Sequence, residues 1–194
     1  MEREDADHIR AALRELSATA ESVASDSTLQ TFGRDLARAS IRAIESSDPI
    51  LFAGNGGSAA DAMHTAAELT GRLISERESL PAIVLGSNPS SMTAIANDYG
   101  YDQVFSRELS ALAGPRSILV VFTTSGNSPN IIRALSRARQ LGIEAFGFLG
   151  GDGGQCASLC NHYIVRDAST VTTQEVHMCL AHAICQMIDD GISG

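Results

Sequence analysis

Apolar residues over the first 46 positions recur every three or four residues. Ile9, Leu13, Leu16 and Ala20 form one stripe, and Leu29, Phe32, Leu36, Ile41 and Ile44 another. This spacing predicts amphipathic helices over about 6–24 and 27–46. From Pro49 the rhythm changes. Short unbroken apolar runs at 50–54 (ILFAG), 82–85 (AIVL), 117–122 (SILVVF), 143–149 (IEAFGFL) and 162–165 (HYIV) read as buried strands. Helical stretches separate them: one ending near Gly71, two near 91–96 and 102–113, one ending near Leu141, and a last one over about 173–190. Strands without a polar face, alternating with helices, need cover on both sides. The predicted fold is α/β, a doubly wound five-stranded parallel sheet with helices on both faces, plus two N-terminal helices. Residues 1–47 are expected to be a helical extension that packs in an oligomer, and 48–194 a single structural unit.

Composition narrows the chemistry. Hydrophobic residues make up 44% of the 194 positions and charged residues 19%, a globular balance. The formal net charge is −9, so neither nucleic acid nor an anionic membrane is an expected partner, since both need a basic surface. All 14 basic residues are Arg. Without Lys there is no Schiff-base or P-loop chemistry. Cys156, Cys160, Cys179 and Cys185 form no CxxC pair and sit in apolar surroundings, which predicts reduced core thiols. The acidic N-terminus lacks the apolar stretch of a signal peptide, and no run of 18 apolar residues occurs. The expected location is cytoplasmic.

Ligands of such sheets bind at the carboxyl ends of the strands, where two loops are rich in glycine and hydroxyl groups. The first, Gly54-Asn55-Gly56-Gly57-Ser58-Ala59, leads from a strand into a helix N-terminus suited to an anion or hydroxyl oxygens. It fits a tight structural turn and also the degenerate dinucleotide pattern GxGxxA, with Glu76 and Glu78 as candidate ribose partners. The second, Thr123-Thr124-Ser125-Gly126-Asn127-Ser128-Pro129-Asn130, has four hydroxyls. Capping uses one, at Ser128, whereas a phosphate accepts many donors and a chain without Lys must draw them from backbone and hydroxyls. His64 and Glu68 are four residues apart and share a helix face. Gln174 and His182 stand on the last helix, His182 among apolar residues that equally suit a core histidine. Eight residues of unbroken helix separate them by ~12 Å. Their side chains can converge only if the helix begins after Gln174 or if different subunits contribute.

Together GNGGSAADAMHTAAE (54–68), TAIANDYGYD (93–102), TTSGNSPN (123–130) and TTQEVHMCLAH (172–182) resemble the phosphoheptose isomerase family, which has the sugar isomerase (SIS) fold, a flavodoxin-like arrangement. The likeness spans essentially the whole chain. It implies an aldose–ketose isomerase that converts sedoheptulose 7-phosphate to D-glycero-D-manno-heptose 7-phosphate, in heptose biosynthesis. It implies Glu68 and His182 as the acid/base pair. His64, Glu68, Gln174 and His182 match positions that bind one zinc ion. Asn55, Gly56, Gly57, Ser58, Asn97, Asp98, Thr123, Thr124, Ser125, Ser128 and Gln174 match substrate-binding positions. Thr123 departs from the more common Ser by one methyl group. A homotetramer is the implied assembly. Non-catalytic relatives lack the acid/base pair; both members are present here. The alternative reading is an inactive SIS-domain protein that senses a sugar phosphate or docks a partner.

Overall fold

The computed structural model describes residues 2–193. Helices α1 (Glu2–Ala24) and α2 (Ser27–Glu45) precede β1 (Ile50–Gly54), α3 (Gly57–Thr70), β2 (Ala82–Val84), α4 (Pro89–Tyr99), α5 (Val104–Leu112), β3 (Ile118–Thr123), α6 (Pro129–Leu141), β4 (Glu144–Gly150), β5 (Asn161–Val165) and α7 (Thr170–Ser193). The five strands are all parallel, in the order β2-β1-β3-β4-β5. The order reverses between β1 and β3, so the loops leaving these two strands flank the crevice where α/β sheets bind ligands.

Strand residues alternate between two cores, as a period of two requires. Ile50, Phe52, Ile118, Val120 and Phe148 pack with Phe32 and Leu36 of α2, Leu69 of α3, and Ile184 and Ile188 of α7. Leu51, Ala53, Leu119 and Val121 pack on the other face with Leu109 of α5 and Ile131 and Leu135 of α6. Phe122 and Phe148, paired across β3 and β4, stack with centroids 4.7 Å apart, and Phe32 sets its edge on Phe148 at 5.3 Å. Helix α2 therefore belongs to the same core as the sheet.

Some expectations shift. Helix α4 is longer than 91–96 because Asn88 caps it, accepting from the Ser90 and Ser91 N–H groups, with proline in its first turn. The stretch expected as one helix over 102–113 opens with a 3₁₀ turn at Tyr101–Gln103. Helix α7 starts three residues before the expected Thr173. The four cysteines are free thiols, and burial pushes those of Cys156 (to about 11), Cys160 and Cys185 (to about 12) up; Cys179, however, is exposed, on the outer side of α7 rather than in the core. On α1 only the end of the apolar stripe meets the protein: Leu16 packs on the core, while Ile9 and Leu13 remain 65% and 62% exposed. Among the described residues no helix is long and apolar enough to cross a membrane.

Candidate active site

The loop after β1 turns at Gly56, whose φ of +57° lies in the left-handed region that favours glycine. Gly57 then starts α3 with the Gln174 amide of α7 so close that a Cβ there would collide with it. The loop after β3 is shaped from within. The Gly126 N–H donates to the Thr123 hydroxyl (3.2 Å), and the Asn127 N–H to the Ser125 hydroxyl (3.2 Å). Ser128 occupies the N-cap position of α6, yet its side chain makes no capping bond. Its hydroxyl, with Asn55, Ser58, Thr123, Thr124 and Ser125, lines a cavity of about 170 Å³. Ser128, the N-cap of α6, lines the cavity, and no acidic residue in the first turn opposes the positive end of the helix dipole there. Such a lining suits an anion without needing a lysine.

The two loops are clasped together. Asn55 and Asn130 exchange amide hydrogen bonds of 2.9 and 2.8 Å, and the Tyr101 hydroxyl donates to Asn55 Oδ1 at 3.1 Å. Neither Asn130 nor Tyr101 is among the site residues predicted from sequence. Asn130 carried a signal: it is a polar residue at the head of an otherwise apolar helix face (Ile131, Ala134, Leu135, Ala138). Tyr101 carried none, because its partner lies 46 positions away.

Farther along α3, three side chains converge. His64 Nε2 lies 2.9 Å from His182 Nε2 and 3.3 Å from Glu68 Oε1. The three ligand-capable atoms fall within 4.8 Å of one another. His64 and Glu68 meet because they are one helical turn apart, and His182 because α7 packs along α3. Two imidazole nitrogens and a carboxylate oxygen form a donor set suited to zinc, which takes histidine and carboxylate ligands. Beside them Asp61 is buried, its Oδ2 without a hydrogen bond. Burial first, then the charge of Glu175, pushes this carboxyl up to about 6, with His64 opposing.

Gln174 is not part of this cluster. Helix α7 runs unbroken from Thr170 to Ser193, which removes a helix start after Gln174, and within one chain the Gln174 amide sits at Gly57 instead. Asn97 and Asp98 lie exposed on α4, where the Asn97 amide donates to Asp98 at 2.8 Å. They do not line the cavity at the hydroxyl loop. The core histidine of α7 is His177, fully buried and bonded to the Leu149 carbonyl at 3.1 Å, not His182. Glu76 pairs with Arg72 at 3.5 Å in the connection before β2, and no acid follows the end of β2, where a ribose-binding carboxylate would stand. A larger groove of about 600 Å³ lies away from these loops, beside Arg38, Arg42 and Arg139, and holds no comparable acid/base grouping.

Comparison with known proteins agrees with this fold. The SIS domain family matches residues 34–150. The phosphoheptose isomerase of Aliarcobacter butzleri is 46% identical over 187 residues, covering 94% of this chain and 98% of its own. The structure of a phosphoheptose isomerase from Francisella tularensis superposes with a TM-score of 0.90 at 30% identity, covering 96% and 98% of the two chains. That from Neisseria gonorrhoeae gives 0.83 at 34% identity, covering 97% and 98%. A relative alike along its whole length, a sheet of the same design and a carboxylate beside two imidazoles lead to one assignment: the chain belongs to the phosphoheptose isomerase family and is an isomerase of the SIS fold.

Proposed function

We propose that this protein converts sedoheptulose 7-phosphate to D-glycero-D-manno-heptose 7-phosphate through an enediolate. The observation that carries this reading is the convergence of Glu68 and His182 on His64, on the helix whose first turn opens at a hydroxyl-lined cavity. The phosphate takes the hydroxyls of Thr124, Ser125 and Ser128 and the N–H groups opening α6. Thr123 shapes the loop by accepting from the Gly126 N–H and keeps its O–H to donate into the same cavity. Asn55 and Ser58, with the backbone of Gly56 and Gly57, hold sugar hydroxyls, and Asn97 and Asp98 complete the sugar contacts when α4 meets the bound chain.

Moving the carbonyl from C2 to C1 requires a proton to leave C1, a proton to arrive at C2, and a hydroxyl proton to pass from O1 to O2. Glu68 performs one carbon proton transfer and His182 the other, from neighbouring positions. His64, Glu68 and His182 would hold a zinc ion. When bound there, zinc supplies Lewis-acid polarisation of the carbonyl and enediolate oxygens. Gln174, eight residues from His182 on a continuous helix, reaches that donor set from a second copy of the chain. The active site is thus shared in a cytoplasmic homotetramer, and the exposed Ile9 and Leu13 of α1 supply apolar surface for its assembly.

The direct test is incubation with sedoheptulose 7-phosphate and assay for the aldose phosphate, with and without a chelator. Product should form, disappear on chelation and return on adding zinc. A protein that binds the ketose phosphate but never yields the aldose is a sensor, and the reading fails.

A further inference from the structure

The connection between α3 and β2 buries a guanidinium. The Arg77 side chain is 7% exposed and its ion-pair partner, Asp189 of α7, 1%. Arg77 Nε donates to Asp189 Oδ1 at 2.6 Å, Nη2 to the Glu68 carbonyl at 2.8 Å, and Nη1 to the carbonyls of Leu69 (2.8 Å), Gly71 (3.2 Å) and Glu78 (3.1 Å). The last carbonyls of a helix have no N–H partner within it and carry the negative end of its dipole, so a cation belongs there. Arg77 does more than cap. Glu68, whose carbonyl it holds, carries the carboxylate of the acid/base pair. Asp189 lies seven residues after His182, two helical turns on, hence on the same face of α7. One planar group with fixed donors spans both helices that carry the pair.

We propose that Arg77 and Asp189 are positioning residues whose ion pair sets the separation of Glu68 and His182. The inference rests on the acid/base reading of those two residues. A buried, hydrogen-bonded ion pair suits the task because its geometry is fixed by direction as well as distance. An ammonium cannot reproduce the contacts, because it lacks the planar fork.

The test compares wild type with Asp189→Asn and Arg77→Lys, measured well below each variant's melting temperature and normalised to folded protein. Loss of positioning predicts kcat lower by about 10- to 100-fold, with KM for the ketose phosphate within about twofold of wild type, because the hydroxyl loop lies at the opposite end of α3. The second readout is the imidazole ¹⁵N resonance of His182 in histidine-labelled full-length protein, which should shift in both variants. Wild-type kcat per folded molecule with an unmoved His182 resonance would mean that the pair only stabilises the fold, and the proposal would be overturned. If wild type itself shows no isomerase activity, the functional reading fails separately, and the His182 resonance alone decides whether the pair positions that side chain. A variant that does not fold is replaced by Asp189→Glu, which keeps the charge and moves it by one methylene; its kcat and resonance must shift in the same sense.

Discussion

Glu68 and His182 are close enough to serve adjacent carbons of one substrate, and each has His64 beside it. Neither neighbour can replace the other, since an imidazole next to an amide cannot do a carboxylate's proton transfer. Glu68→Gln and His182→Ala should each lower kcat by at least about 10²-fold while leaving the circular dichroism spectrum unchanged; a near-normal rate in either removes that residue from the mechanism. His177 plays a different part. Burial holds its pKa down to about 4 from the ordinary 6.5, with the Leu149 carbonyl opposing. Between these values the unfolded chain binds the proton and the folded chain does not, so stability is full above about pH 6.5 and declines as pH falls toward 4. The stability advantage of wild type over His177→Gln, followed by urea unfolding, should therefore shrink by up to about 3 kcal/mol from pH 7 to pH 4. A constant difference would mean that His177 does not titrate this way. No such asymmetry separates the two histidines in the sequence, where both stand in the same apolar helix.

Helix α6 joins core and site in one element. Its inner face, Ile131, Ala134, Leu135 and Ala138, is fully buried against β3 and β4, while its first turn opens on the hydroxyl loop. The two ends should separate by mutation. Leu135→Ala leaves a cavity in the core and should cost about 2–5 kcal/mol of stability, with kcat and KM of the folded fraction unchanged. Ser128→Ala loses no cap, since the side chain makes no capping bond, so stability should change by less than about 0.5 kcal/mol and KM should rise for the phosphorylated sugar. A large stability loss at Ser128 would show that its hydroxyl serves the helix after all. Strand β1 was legible to the residue because a run of apolar positions ends at glycine. The ends of α4 and α7 were not, because Asn88 and Ser169 decide them through local hydrogen bonds that hydrophobic spacing does not record.

For the whole molecule, the shared-site reading makes a prediction that no single chain can satisfy. Glu68→Gln contributes a sound Gln174, and Gln174→Ala a sound Glu68. If Gln174 acts across an interface, co-expressed mixtures of these two poorly active chains should recover about a quarter of wild-type activity, the share of sites that pair the right copies at random. Mixtures no better than the separate variants would place Gln174 within its own subunit's site or outside the chemistry. The sequence by itself determined the layered fold, since uninterrupted apolar strands alternating with amphipathic helices can be buried in few other ways. It also marked both glycine- and hydroxyl-rich loops and the His64–Glu68 pair, because glycine turns, hydroxyl clusters and one-turn spacing are local properties. Only the tertiary structure decided that α7 lays His182 against that pair, that Asn130 and Tyr101 clasp the first loop, and that Arg77 joins α3 to α7. Those contacts link residues from 9 to 118 positions apart. Their partners are chosen by how packed helices and loops meet in space, which no periodicity along a single segment encodes.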